Sequence, residues 1–246
     1  MHFSKMLVNM AAFHEFLDGL APNARVGISI DLETWNRRGA GFHTAALVPF
    51  DFDNNRVYKD AAMLVKVSLK SLLAYPGMLD PSTIRWWMTE PSQEARDELF
   101  SVYKRNENGK CTYLESKEAS YEEACDGIVE YMKQIRNRGA QVEPLGNGAI
   151  FDVGKLELSL VQTGAVDGGS ENSFPYNFWN IRDLREIING ARLSTGIDVK
   201  KAVKFQGTTH NALDDAAHQA RQAIISEALM LRARAAFKGQ EVPEME

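Results

Sequence analysis

The sequence predicts an α/β fold with a mixed β-sheet flanked by helices and an N-terminal helical extension. Three observations carry this expectation. A strictly alternating strand at 25–34 is followed by two further strands over short turns. Helices and strands alternate beyond residue 90. A long amphipathic helix lies near the end of the chain. Strands joined by short turns form an antiparallel meander, and strands reached through helices can extend the same sheet in parallel.

Taken in order, residues 1–22 read as a helix, because Met6, Met10, Phe13 and Leu17 recur at helical spacing before Pro22. In 25–34, Val26, Ile28, Ile30 and Leu32 alternate with Gly27, Ser29, Asp31 and Glu33, the period of a strand. Residues 36–41 form a turn, 43–50 a second strand, 51–55 a turn and 62–69 a third strand. Ser92 opens a helix over 93–102, and the polar stretch 104–117 reads as an exposed loop. Ser120 and Glu123 have capping-box spacing and start a helix running to about Arg136. A strand at 141–145 ends at Gly146-Asn147-Gly148, and a helix follows at 152–161. A Gly-rich loop covers 166–173, a short strand 178–181 and a helix 182–189. Leu213, Ala217, Ala220, Ile224, Ala228 and Leu231 mark the last helix. The division is an N-terminal helical extension (1–24), one domain (25–237) and a polar tail (238–246).

Composition narrows the function. At 246 residues the chain can bury a large core, and no apolar run is long enough to span a membrane. A net charge of −5 excludes a broad basic coat on duplex nucleic acid, although an enzyme gripping one strand end needs no such coat. Cys111 and Cys125 lack metal-ligand spacing and read as free thiols of a reducing cytosol.

The chemistry centres on Asp31 and Glu33. Two residues apart on a strand, they project from one face near its end. Adjacent carboxylates repel and are costly to desolvate, and a hard divalent cation, Mg²⁺ or Mn²⁺, resolves the conflict. Asp152 follows a Gly-rich strand end, where α/β proteins place ligands. His210 and Asp215 flank the start of the last helix, with Asp214 competing for the same role on spacing alone. Together these acids can hold two ions ~3.5–4 Å apart for in-line phosphoryl displacement. In that scheme Asp31 bridges both ions, Glu33 and Asp215 hold the one carrying the attacking water, and Asp152 orients the second. His210 acts as the base, histidine being the side chain that titrates nearest neutrality. Each piece alone has a plainer reading: a solvated acid pair, a helix N-cap at Asp152, a polar loop histidine.

Asp31-Leu32-Glu33-Thr34, Asp152 and His210 with Asp215 resemble the three motifs of a DEDDh exonuclease of the DnaQ-like superfamily, and the third-motif spacing selects Asp215 over Asp214. Thr83-Ile84-Arg85-Trp86-Trp87, Gly146–Asp152, 178–183 and 210–216 are similar to the phage exonuclease A and exodeoxyribonuclease VIII-like branch. Where that branch carries a leucine- or methionine-glycine turn after the first motif, this chain has Trp35-Asn36-Arg37-Arg38. The resemblance implies a ribonuclease-H-like fold and a metal-dependent 3′-5′ exonuclease with two Mg²⁺ or Mn²⁺ ions. It also implies a nucleic acid 3′ end as partner, DNA and single-stranded at the site, and a bacterial or phage-infected-host cytoplasm. Exoribonuclease or oligoribonuclease activity is the alternative, because no motif reports the 2′-OH; a silent binding module is the rival from another class. Thr34, Trp86, Trp87 and Arg182 are the candidate substrate contacts: Thr34 by resemblance, the tryptophans as base-stacking platforms, Arg182 with Arg185 at helical spacing. Trp179 reads as core.

Overall fold

A computed structural model describes residues 5–101, 103–105, 111–113, 117–170 and 173–238. In chain order the elements are β1 (Met6–Val8), α1 (Met10–Asp18), β2 (Arg25–Glu33), β3 (Thr44–Asp51), β4 (Arg56–Val57), β5 (Met63–Lys66), α2 (Leu69–Leu72), α3 (Pro81–Thr89), α4 (Gln93–Leu99), β6 (Tyr103–Arg105), β7 (Cys111–Tyr113), α5 (Tyr121–Asn137), β8 (Gln141–Gly146), α6 (Asp152–Gln162), β9 (Arg182–Asp183), α7 (Leu184–Thr195), α8 (Val199–Ala202) and α9 (Ala212–Phe237). The main sheet has seven strands in the order β1-β5-β3-β2-β8-β9, with β4 beside β3. β2, β3 and β5 form the expected antiparallel meander, and β8 and β9 add in parallel.

The alternation of β2 sorts its two faces. Val26, Ile28, Ile30 and Leu32 join the larger core with Tyr131 and Ile128 of α5 and Leu156 and Leu160 of α6. The other face is covered by α7 and α9. There Phe50 and Leu145 pack on Leu184, Ala220 and Ala223, and Ala46 and Val48 on Ala212, Ala216 and Ala217. Gly27 lies on this second face, and the close Phe50 ring requires a glycine there, since a Cβ would stand 2.1 Å from its Cζ.

The structure corrects several expectations. The N-terminal extension is not simply helical. Met6–Val8 pair antiparallel with β5, so this stretch supplies the sheet's edge, and the helix starts only at Met10. Helical spacing hid a three-residue strand with Met6 turned inward against Gly127 and Leu7 turned outward. Asn9 marks the change, its side chain accepting from the Ala12 N–H. The expected strand at 178–181 is a 3₁₀ turn, Phe178–Asn180, and the strand is Arg182–Asp183. Trp179, expected in the core, is 66% exposed. The polar stretch 104–117 contains most of a hairpin, β6 with β7; its residues 106–110 and 114–116, and the tail beyond 238, lie outside the described residues. The capping box at Ser120 and Glu123 forms with both of its hydrogen bonds.

The Gly27–Phe50 contact makes a test of this layering. Gly27→Ala is expected to cost about 1–3 kcal/mol, the usual cost of overpacking. Adding Phe50→Leu to the same chain should recover part of that loss. Urea unfolding of the two single variants and the double variant measures it, and strictly additive losses would rule out the contact as the cause.

Candidate active site

The acids meet where β2 ends. Pairing between β2 and β8 runs only to Ser29 and Leu145. Beyond it, the Leu32 N–H is taken by the carboxylate of Asp152 (3.3 Å), whose second oxygen accepts from the Asn147 N–H (3.1 Å). Asp152 is therefore not a helix cap. It is the first residue of α6, the preceding Phe151 makes no capping bond, and the buried carboxylate reaches back to the strand that carries Asp31 and Glu33.

From the opposite side, α9 delivers its residues through a tight turn. Asn211 caps the helix by accepting from the Asp214 N–H (3.2 Å). His210 has φ +63°, a left-handed conformation uncommon for a residue with a side chain. Its N–H donates to the Asp215 carboxylate at 2.7 Å. Ligand atoms of Glu33, His210 and Asp215 come within 4.8 Å of one another. One helical turn on, the side-chain amide of Gln219 donates to Asp31 at 2.8 Å. Asp214 points elsewhere: it pairs with Lys59 (2.6 Å) and accepts from the Thr208 N–H, which pins the turn. Geometry thus separates Asp215 from Asp214.

None of the four converging carboxylates is in an ion pair with a lysine or arginine among the described residues. Burial pushes all of them up, and repulsion from the other site acids adds to the rise of Asp31 and Glu33. For Asp31 burial leads, followed by Glu33, and the rise is well above the usual carboxylate range. Burial and then Asp215 lift Glu33 to about 8. Burial lifts Asp152 to about 7 against the lowering effect of the Leu32 and Asn147 N–H groups. Asp215 rises through burial, partly offset by the His210 N–H. This is an all-oxygen cluster with an imidazole at its edge, a donor set suited to a hard divalent cation.

The proposed substrate contacts divide. Trp86 is half-buried, its ring edge-on to His210 at 5.1 Å. Trp87 is 2% exposed and cannot stack a base; its indole N–H donates to the Thr34 carbonyl (3.1 Å), which fixes the end of β2. Thr34 is buried too, with its hydroxyl spent on the Asn36 carbonyl. Arg182 is committed elsewhere. It shares Glu143 and Glu227 with Arg25, and Glu143 pairs with Gly27, four residues or about 13 Å back from Asp31. Sequence reasoning missed Gln219 and Lys155. Both were findable: Gln219 stands four residues after Asp215 on the same helix face, and Lys155 three after Asp152.

The model of the 3′-5′ exoribonuclease Rv2179c-like domain family matches residues 26–226. The chain belongs to this family. It is thereby a 3′-5′ exonuclease domain. The family's description names RNA, and the phage branch suggested by the motifs is a finer assignment than the match carries. Among solved structures, a 3′-exonuclease in 3′-end specific recognition of a histone mRNA stem-loop is similar over 85% of this chain and 84% of that chain, with 12% identity and a TM-score of 0.50. That likeness is one of fold, the ribonuclease-H-like sheet with flanking helices. The nuclease domain of 3′hExo, a DEDDh family member bound to rAMP, is similar over 85% of this chain and 96% of that chain, with 13% identity and a TM-score of 0.46. No curated protein sequence matches the chain.

The raised carboxyls set the pH dependence of stability without metal. Between the ordinary carboxylate range and about pH 7–8, Glu33 and Asp152 hold protons in the folded state that the unfolded chain has lost. Folding then binds protons, so their contribution is fully present at low pH and disappears as pH rises through 7–8. In EDTA the Tm should fall between about pH 5.5 and pH 8.5. Mn²⁺ should remove most of the fall, and Glu33→Gln should flatten it. A Tm in EDTA that holds or rises over this range, followed by differential scanning fluorimetry, would show that the acids do not repel as described.

Proposed function

We propose that the chain is a divalent-metal-dependent 3′-5′ exonuclease that releases 5′-mononucleotides from RNA, with Asp31, Glu33, Asp152 and Asp215 holding two Mg²⁺ or Mn²⁺ ions. The observation that carries this reading is the convergence of four buried or half-buried carboxylates, none of them in an ion pair with a lysine or arginine among the described residues. When bound, such ions supply Lewis acidity to the phosphoryl oxygens and lower the pKa of a water. The chain's own residues do the rest. Gln219 fixes Asp31. The Leu32 and Asn147 N–H groups fix Asp152. His210, exposed beside Glu33 and Asp215, takes the proton of the attacking water. Trp86 stands where it can meet the terminal nucleotide. The motif resemblance favours DNA, whereas the family's description names RNA, and the proposal follows the family.

Matched 5′-end-labelled RNA and DNA oligonucleotides in Mg²⁺, Mn²⁺ or EDTA test the reading directly. RNA should shorten one nucleotide at a time from its 3′ end, with activity lost in EDTA and in Asp31→Asn. Faster degradation of DNA than of RNA would overturn the substrate choice, and cleavage of circular single strands would overturn end dependence.

His210 gives a sharper test, because glycine suits its left-handed backbone. His210→Gly should lower kcat by about 10²–10⁴-fold without lowering Tm, and calorimetric Mn²⁺ affinity should persist. Loss of Mn²⁺ affinity as severe as in Asp215→Asn would make His210 a ligand instead. Asp214→Ala should show the reverse pattern, a lower Tm with kcat close to wild type.

A further inference from the structure

Beside Asp152 lies a cleft of ≈ 520 Å³ that the carboxylate site does not use. It opens between the loop after β2, the start of α6 and the start of α7. Its cations are Arg37, Arg38, Lys155 and Arg185, against two carboxylates, Asp183 and Glu186. Asp183 is already engaged, capping α7 and accepting from the Ala149 N–H (2.7 Å). In a chain of net charge −5 this is a local positive excess. Arg37 and Arg38 are exposed and in no ion pair among the described residues. The loop that carries them is held in place: buried Lys155 donates to the Asn36 side chain (2.6 Å) and the Gly39 carbonyl (2.8 Å), and the Gly41 N–H donates to Ser159 (3.0 Å). Ile150, 94% exposed, gives the rim an apolar tip.

Reaction geometry says what passes through. In-line displacement puts the entering and leaving oxygens on opposite sides of phosphorus. His210 lies to the β3 and β5 side of β2, near His43, Thr44 and Lys66. Asp152 and the cleft lie to the β8 and β9 side. For a water activated at His210, the leaving 3′-oxygen, and the strand attached to it, point toward the cleft.

Resting on the exonuclease reading above, we infer that this cleft is the track of the RNA strand immediately 5′ of the scissile bond, with Arg37 and Arg38 contacting its backbone phosphates. The strand is single, and its recognition is independent of sequence, because the contacts are charge on phosphate and an apolar tip against a base face. Substrate length then controls affinity. A dinucleotide has no phosphate beyond the scissile one to offer the arginines, whereas an octanucleotide has several.

The test compares wild type with Arg37→Gln/Arg38→Gln on a diribonucleotide and an octaribonucleotide. KM for the octamer should rise at least about tenfold in the variant, the worth of one charge-assisted contact. KM for the dimer should change by less than about twofold, because it lacks those phosphates. The slope of log KM against log salt for the octamer should flatten by about 0.7 for each arginine removed. An unchanged octamer KM and salt slope would overturn the inference, as would an equal rise for both lengths, which would place the terminal nucleotide there. Wild type inactive on both substrates would instead defeat the exonuclease reading. The cleft is then judged by fluorescence anisotropy of a 5′-fluorescein octaribonucleotide in Ca²⁺: tighter binding to wild type than to the variant supports it, and equal binding overturns it. Arg38→Gln alone, at an exposed loop position, repeats the comparison should the double variant fold poorly.

Discussion

Four small residues of α9, Ala216, Ala217, Ala220 and Ala223, set how closely that helix lies on the sheet. All are fully buried, and opposite them β3 also presents a small residue, Ala46, while the space over Gly27 of β2 is filled by the Phe50 ring. With alanines on the helix side of this contact, Gln219 reaches Asp31 and Asp215 comes beside Glu33. The same closeness removes water from the acids and makes them repel. Packing of an alanine face therefore provides the force that holds the carboxylates where they would not gather by themselves. The stability of the whole domain is spent in part on that local conflict.

The end of β2 is braced from several directions at once. Asp152 takes the backbone bond that β8 relinquishes, Trp87 holds the Thr34 carbonyl, and Lys155 ties down the loop beyond. At the far end of the strand, charges are balanced internally: Arg25 and Arg182 share Glu143 and Glu227 and both stack on the Phe52 ring, at 4.7 and 5.5 Å. One strand thus has a self-neutralised end and an end whose carboxyls have no lysine or arginine ion pair among the described residues. The polarity of the sheet's electrostatics follows from where partners are supplied and where they are withheld.

The features legible in the sequence were those with a periodic signature. Alternation in 25–34 marked the strand and the face its acids share, and the caps at Ser92 and Ser120 matched helix starts. Short elements without a period were hidden: Met6–Val8 borrows its pairing from β5, and Arg182–Asp183 from β8. Adjacent tryptophans show the limit most clearly. Trp86 and Trp87 differ only in which way the helix turns them, one toward His210 and the other into the core. Gln219 and Lys155 escaped notice because each reads as an ordinary helix residue until its partner is brought across the fold. Arg182 misled for the mirror reason, since its partners Glu143 and Glu227 lie far along the chain.

The hydrogen bond between Gln219 and Asp31 joins residues 188 positions apart. During synthesis β2 emerges early, and its acidic face waits for the last helix of the fold. A nascent chain that has not yet reached α9 carries Asp31 and Glu33 without Asp215, Gln219 or the turn that presents His210. Contacts of such long range also form late and slowly in folding. The carboxylate centre is consequently assembled only once α9 has been made and has docked on the sheet.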